Sequence, residues 1–129
     1  MSTLTRLDLE FYEQVVIYNI LTDETYLASI IDNLEDKYFS DENIKSVIGI
    51  IKEFYNTRDA IPTITEVKAY LTSEEAKTKF RRVVELIQNF DNNFNKDELY
   101  ENTERFLKEK AVVNTLLAVS YTHLRAHET

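Results

Sequence analysis

The chain has 129 residues, of which 43% are hydrophobic and 12% aromatic, enough for a folded core in a single domain. One glycine and one proline are too few for a hairpin-rich β protein. The lack of cysteine excludes disulfides and cysteine-ligated metals. The net charge of -8 has the wrong sign for electrostatic binding of nucleic acid. We therefore expect an all-α domain that binds DNA only weakly.

The start of the chain lacks the basic leader and apolar run that are typical of a signal peptide. No apolar run approaches the roughly 20 residues needed to span a bilayer. We expect a soluble protein with no membrane partner, and the absence of cysteine fits a cytoplasmic location.

The first two helices are predicted from apolar runs that flank Asp23. Apolar residues cover almost every side of residues 8–21, which indicates a central, well-covered helix. Asp23 is suited to cap a second helix that runs to about Leu34. Its inward-facing residues are predicted to be Leu27, Ile30, Ile31 and Leu34.

A third helix is predicted from Ser40 or Asp41 to about Tyr55. Apolar residues recur there at spacings of three and four, with two more that widen the stripe: Ile44, Val47, Ile48, Ile51 and Tyr55, then Ile50 and Phe54. Gly49 lies in the middle of this helix, where glycine costs about 0.5–1 kcal/mol relative to alanine. A close helix crossing is one explanation for it, although the side of the helix on which Gly49 lies is not clearly the core side.

The remaining helix starts are predicted from side chains suited to N-terminal capping. Pro62 disfavours helix at Ile61 and so indicates a connector. Three pairs then suit helix starts: Thr63 with Glu66, Thr72 with Glu75, and Asn95 with Glu98. The helix from Thr72 should end near Phe90. Six helices with short connections predict an all-α bundle with a long terminal helix.

Basic residues cluster at one place only, in the fifth predicted helix. The basic residues are Lys77, Lys79, Arg81 and Arg82. At helical spacing they point mostly away from the apolar stripe of this helix, which comprises Phe80, Val83, Val84 and Ile87. This pattern indicates a solvated face rather than a nucleic-acid site.

The last ten residues, SYTHLRAHET, look like the translation of sequencing-adapter DNA. We therefore divide the chain into a helical domain over residues 1–119 and a non-native tail over residues 120–129. Both histidines, His123 and His127, lie in this tail. The alternative is a native, frayed terminus.

No catalytic or metal-binding pattern is found upstream of this tail. A phosphate-binding Walker loop needs two glycines, and histidine-based catalysis and zinc sites need a histidine. Asp91, Asn93 and Asn95 resemble half of a calcium loop, but Lys96 replaces the required glycine and Asn102 the bidentate glutamate. We expect a chain that is not an enzyme and that binds no cofactor.

Four segments within residues 13–71 form a recognisable series: Ile20 to Asp23 (ILTD), Asp36 to Phe39 (DKYF), the helically spaced Ile44, Ile48 and Ile51, and the connector Ala60 to Ile64 followed by Leu71. In this series the chain resembles the N-terminal domain of DnaB-type replicative helicases. The last helix, ENTERFLKEKAVVNTLLA, resembles the family's next amphipathic segment. Asn114 stands where bacterial members commonly carry arginine, and with the IPTITEV connector this resembles helicases of tailed phages.

The resemblance implies a binding and assembly module of a ring-shaped hexameric helicase. Such a domain pairs with neighbouring subunits as a dimer or hexamer collar and helps to recruit primase or a helicase loader. The ATPase domain, with its ATP and Mg²⁺, would lie in a missing part of a truncated chain, and a phage protein would act in the host bacterial cytoplasm. The alternative is a stand-alone small phage interaction protein, either a helicase loader or a host-takeover inhibitor.

The last helix carries the candidate interface, which comprises Phe106, Leu107, Val112, Val113, Leu116 and Leu117. One stripe contains Leu99, Phe106, Leu107, Val113 and Leu117, interrupted by Lys110, whose stem can lie along it. Val112 and Leu116 add apolar residues on a different side. The resemblance implies that this helix is half of a truncated helical hairpin whose second side pairs with a neighbouring subunit. The alternative is that both sides pack inside the domain.

Overall fold

The computed structural model describes the backbone of residues 8–91 and 93–128 and the side chains of residues 8–91 and 93–113. Within these ranges the chain forms helices and no strand, which confirms the all-α prediction. The six α-helices are α1 (Leu9–Thr22), α2 (Glu24–Ile30), α3 (Glu42–Arg58), α4 (Ile64–Ala69), α5 (Glu74–Gln88) and α6 (Lys96–Glu128). Two 3₁₀ turns, Ile31–Asn33 and Asp36–Tyr38, connect α2 to α3. The chain divides between Asn93 and Phe94 into two compact units.

Each of these six helices begins after a residue whose side-chain oxygen accepts a hydrogen bond from the first turn. The capping residues are Asp8, Asp23, Asp41, Thr63, Ser73 and Asn95. The predicted capping box is confirmed, because the Thr63 N–H donates to Glu66 Oε1 at 3.0 Å and the Glu66 N–H donates to Thr63 Oγ1 at 3.2 Å. These bonds satisfy amides that have no partner within the helix.

The second predicted capping box, Thr72 with Glu75, is wrong by one residue. The cap of α5 is Ser73, whose Oγ accepts a hydrogen bond from the Ala76 N–H at 3.0 Å. Serine is a slightly better N-cap than threonine. The shifted start places Glu74 and Glu75 at the first two positions, where the helix dipole favours negative charge.

Two helix ends also differ from the prediction. The helix expected to reach Leu34 ends at Ile30 and continues as a 3₁₀ turn, although all four residues predicted to face inward are buried. In contrast, α3 continues three residues past Tyr55, to Arg58. It ends at Asp59, whose left-handed backbone (φ 53°) lets its N–H donate to the Tyr55 carbonyl at 2.7 Å.

The core of the first unit is built around α3. This helix packs against α1, α4, α5 and the second 3₁₀ turn. Its predicted stripe is buried at Ile44, Val47, Ile48, Ile51 and Phe54, whereas Ile50 and Tyr55 are partly exposed. In α1, burial on several sides at Val15, Val16, Ile17, Ile20 and Leu21 confirms a central, covered helix.

The carboxylate of Glu13, a residue of α1, is buried, although no sequence pattern singles it out. Only 2% of Glu13 is exposed. Its Oε1 accepts from the Ser40 N–H at 2.8 Å, and its Oε2 accepts from Ser40 Oγ at 3.0 Å. The Asp41 N–H also donates to Oε1, at 3.4 Å. Because Asp41 caps α3, the Glu13 carboxylate fixes the start of α3 against α1.

Gly49 does not mark a close helix crossing. A Cβ atom built at Gly49 would have Asp36 Oδ2 as its nearest neighbour outside the local helix, at 3.9 Å, which is an ordinary van der Waals contact. Asp36 belongs to the second 3₁₀ turn. The glycine therefore lies inside α3 without a steric requirement for the absence of a side chain.

Replacing Gly49 with alanine is expected to stabilise the protein by about 0.5–1 kcal/mol, because alanine loses less backbone entropy than glycine in a helix. Chemical denaturation with urea should show a higher midpoint and an unchanged slope. A lower midpoint would show that the 3₁₀ turn cannot accommodate a methyl group next to Asp36.

Candidate interaction surface on the last helix

The first half of α6 has one buried side. Asn95 caps the helix as predicted, its Oδ1 accepting from the Glu98 N–H at 3.1 Å. Leu99, Thr103, Phe106 and Leu107 are all buried. Their spacing places them on one side of an α-helix. The predicted apolar stripe is therefore confirmed as far as Leu107.

The buried stripe ends at Lys110. The Lys110 ammonium lies 5.7 Å from the centroid of the Phe106 ring, and the side chain is partly exposed, in agreement with the expectation that its stem covers the stripe. One turn later Val113 is 46% exposed, so the prediction that it continues the buried stripe is wrong. Because the ammonium group of Lys110 remains hydrated, the buried stripe ends at the helical turn that contains this residue.

The six candidate interface residues are in different environments. Phe106 is 0% exposed and Leu107 8%. Val112 is 56% exposed and the next residue, Val113, is 46% exposed, so both valines present apolar surface. The side chains of Leu116 and Leu117 lie outside the described residues. The helical backbone places these two positions one turn beyond Val112 and Val113.

The exposed part of α6 before the valines is charged. Lys108 Nζ lies 2.7 Å from Glu104 Oε1 in an i, i+4 pair. Two effects of Lys108 lower the pKa of Glu104: first the hydrogen bond that it donates, and second its positive charge. An exposed pair of this kind contributes little to stability, since both groups are well hydrated when apart. The apolar surface of Val112 and Val113 therefore follows a solvated, charged segment.

The basic residues of α5 form a solvated face, as predicted. Lys77 and Lys79 pair with Glu74 and Glu75 of the same helix at 3.8 and 3.2 Å. The Arg81 guanidinium donates to Thr78 Oγ1 at 3.3 Å. Arg81 and Arg82 are exposed, and the stripe residues Phe80 and Val83 are buried.

The described residues provide no obvious metal centre. Over residues 8–91 and 93–113, no three histidine, aspartate or glutamate side chains lie close enough together to hold an ion. The loop that resembles half of a calcium site forms a local turn, in which Asp91 Oδ1 accepts from the Asn93 N–H at 3.0 Å. In the part of the chain that the structure describes, no helix has the length and apolar character needed to cross a bilayer.

Comparison with known families gives a match that covers most of the chain. A model of the DnaB-like helicase N terminal domain matches residues 8–109. The chain belongs to this family. The match begins at Asp8, the cap of α1, and ends within α6, three residues before Val112. No curated protein and no solved structure matched the chain.

Membership of the DnaB-like N-terminal domain family confirms the resemblance that the sequence indicates. This domain is distinct from the ATPase domain of DnaB-type helicases. The family is generally involved in oligomerisation and protein interactions. An apolar surface on a helix of this domain is thus of functional interest.

Proposed function

We propose that this domain assembles a hexameric replicative helicase. It self-associates, as a dimer or as part of a hexamer collar, and recruits a primase or a helicase loader. The observation that carries this proposal is the exposure of the adjacent Val112 and Val113 on a helix whose buried stripe extends only as far as Leu107. Membership of the DnaB-like family supports the same proposal.

The valines are suited to an interface because α6 holds them in a defined position. Phe106 and Leu107, in the preceding turns of the helix, are buried. A helix that is buried along one stripe needs no further apolar surface, and a contiguous apolar patch on its exposed side is typical of an interaction site. Leu116 and Leu117 continue the same register for one more turn. A second copy of this domain would cover these positions by helix-to-helix packing.

ATP and Mg²⁺ chemistry belongs, in this proposal, to the helicase ATPase domain. The single glycine of this chain, Gly49, lies inside α3 and cannot wrap a phosphate group. The parent helicase is of the tailed-phage type and acts in the bacterial cytoplasm. Asn114 and the connector over residues 61–67 support the phage assignment.

Replacing both Val112 and Val113 with glutamine is expected to abolish self-association without unfolding the domain. Glutamine is a better helix former than valine and is readily hydrated, so α6 should persist while its apolar surface is lost. Analytical ultracentrifugation should show a mass that rises with concentration for the parent chain and remains monomeric for the variant. The thermal midpoint at low concentration should be the same for both.

The matched control replaces both valines with isoleucine, which keeps the β-branched shape and enlarges the apolar surface. This variant should associate at least as strongly as the parent chain. A parent chain that stays monomeric at all concentrations would contradict the proposal. A glutamine variant that associates as strongly as the isoleucine variant would do the same, because the valines would then lie outside the interface.

A further inference from the structure

A second feature lies in the first unit, at the C-terminal end of α3. A cavity of about 200 Å³ is lined by Ile50, Glu53, Phe54, Thr57 and Arg58 of α3 and by Tyr70, which follows α4. The Phe54 ring is buried, whereas Tyr70 is 46% exposed. The cavity is therefore bounded by a buried ring and an exposed ring, with two opposite charges among its lining residues.

Arg58 is held in place by these two rings. Its guanidinium carbon lies 5.3 Å from the centroid of the Phe54 ring and 4.9 Å from that of the Tyr70 ring. The two rings meet edge to face, with their centroids 5.4 Å apart. A guanidinium that lies against aromatic rings can still donate hydrogen bonds from its N–H groups. Among the described residues, the Arg58 side chain makes no hydrogen bond or ion pair.

We propose that this cavity binds the C-terminal residue of a partner protein that ends in a large apolar side chain. The side chain enters the cavity against Ile50 and Phe54, and the terminal carboxylate accepts two hydrogen bonds from Arg58. A planar guanidinium can donate two parallel hydrogen bonds to a carboxylate in this bidentate geometry. Two aromatic rings restrict the arginine before the partner arrives, so less conformational freedom is lost on binding.

The geometry favours a terminal carboxylate over that of an aspartate or glutamate side chain. Arg58 lines the same small cavity as Phe54, so the carboxylate must lie within one residue of the bound apolar side chain. A terminal carboxylate is attached to the same α-carbon as that side chain. In an extended segment, successive side chains point to opposite faces. An aspartate or glutamate next to the bound apolar residue would therefore point its carboxylate away from Arg58.

Glu53 provides an internal test of this assignment. Glu53 lines the same cavity, and its negative charge should repel a bound anion. Replacing Glu53 with glutamine should therefore strengthen the binding of a carboxylate, by about two- to fivefold for a charge near the protein surface. The same substitution should leave the binding of an uncharged ligand unchanged.

The first experiment titrates the ¹⁵N-labelled full chain with three small probes and follows its amide resonances by NMR. N-acetyl-leucine has both the apolar side chain and the carboxylate, N-acetyl-leucinamide lacks the charge, and N-acetylglycine lacks the side chain. N-acetyl-leucine should shift resonances of residues 50–58 and 70, with millimolar affinity because the ligand is small. The other two probes should bind roughly tenfold more weakly.

Variants then test the roles of the individual side chains. Arg58→Gln should weaken the binding of N-acetyl-leucine roughly tenfold while leaving that of N-acetyl-leucinamide unchanged. Tyr70→Phe keeps the ring and should bind as the parent does, whereas Tyr70→Ala should bind more weakly. Because Arg58 and Tyr70 are exposed, these variants should fold, and unchanged resonances far from the cavity would verify this.

Three peptides complete the test. Two of them end in leucine, one with a free and one with an amidated C-terminus. The third is amidated and contains an internal Leu-Glu pair. Only the free terminus should bind at the cavity. Equal binding of the internal Leu-Glu peptide would overturn the assignment to a chain terminus. Equal binding of N-acetyl-leucine and its amide, or shifts confined to other residues, would overturn the carboxylate site. This inference is independent of self-association through α6.

Discussion

Replacing Glu13 with alanine is expected to lower the free energy of unfolding by about 2–4 kcal/mol. The substitution removes a carboxylate that accepts from both the N–H and the hydroxyl of Ser40. Hydrogen bonds to a charged group contribute about 1.5–3 kcal/mol, and a small cavity adds to the loss. Differential scanning calorimetry should show a thermal midpoint lower by about 10 °C, at roughly 4 °C per kcal/mol for a chain of this size.

The matched control is Glu10→Ala, which removes an exposed carboxylate from the same helix. It should change the stability by less than about 0.5 kcal/mol. Glu13→Gln keeps the volume and one acceptor oxygen and should fall between the two alanine variants. If Glu13→Ala were as stable as Glu10→Ala, the dehydration of the buried carboxylate would offset its hydrogen bonds completely. The contact between α1 and the start of α3 would then add nothing to stability.

Replacing Phe106 with alanine is expected to lower the free energy of unfolding by about 3–5 kcal/mol. The Phe106 ring is completely buried, so its removal loses the transfer free energy of the ring and leaves a cavity. The Lys110 ammonium also loses the ring above which it lies. Urea denaturation monitored by circular dichroism should show this loss as a lower midpoint.

Val113→Ala, seven residues further along the same helix, provides the comparison. Val113 is 46% exposed, and alanine is the better helix former, so the stability of this variant should change by less than about 0.5 kcal/mol. The contrast measures where the side chains of α6 change from buried to exposed. Equal effects of Phe106→Ala and Val113→Ala would contradict the burial of the first half of α6.

The helices could be predicted because their starts and buried sides are both local patterns. Asp23 and Thr63 have the side chains that satisfy the free amides of the next turn, and both act as caps. The start of α5 could not be fixed because Thr72 and Ser73 are adjacent hydroxyl residues that both suit this role. The end of α3 was missed because Asp59 adopts a left-handed conformation that aspartate visits only occasionally.

Glu13 was missed because hydrophobic periodicity locates buried apolar residues and gives no information on buried charged residues. Its position nevertheless carries a signal, since a charged residue in a helix that is apolar on nearly every side has no solvated face available. The donors on Ser40, 27 residues away, depend on the tertiary fold and cannot be inferred from spacing. Arg58 and Tyr70 likewise meet only because α3 and α4 pack together.

The candidate interface on α6 was predicted as a set, and the structure separates its members. Phe106 and Val113 are seven residues apart and nearly in register on an α-helix, so a sequence pattern assigns them to the same side. Burial depends on how far the packed part of the helix extends, which a periodic pattern does not contain. Lys110 was the available indication, since it interrupts the stripe at the turn where burial ends.

The capping oxygens at all six helix starts in the described residues have a consequence for the order of folding. Each cap acts on amides only two or three residues away, as Asp23 does on Thr25 and Tyr26. Such local bonds can bias a segment towards helix before any distant segment arrives, although a short helix alone is only marginally populated. Contacts between neighbouring helices, such as α1 with α2, close short loops, and chains rich in such contacts fold within microseconds to milliseconds. The packing of α1 against α5 joins the two ends of the first unit. This contact closes the longest loop in the unit and has the largest entropic cost, so we expect it to form last.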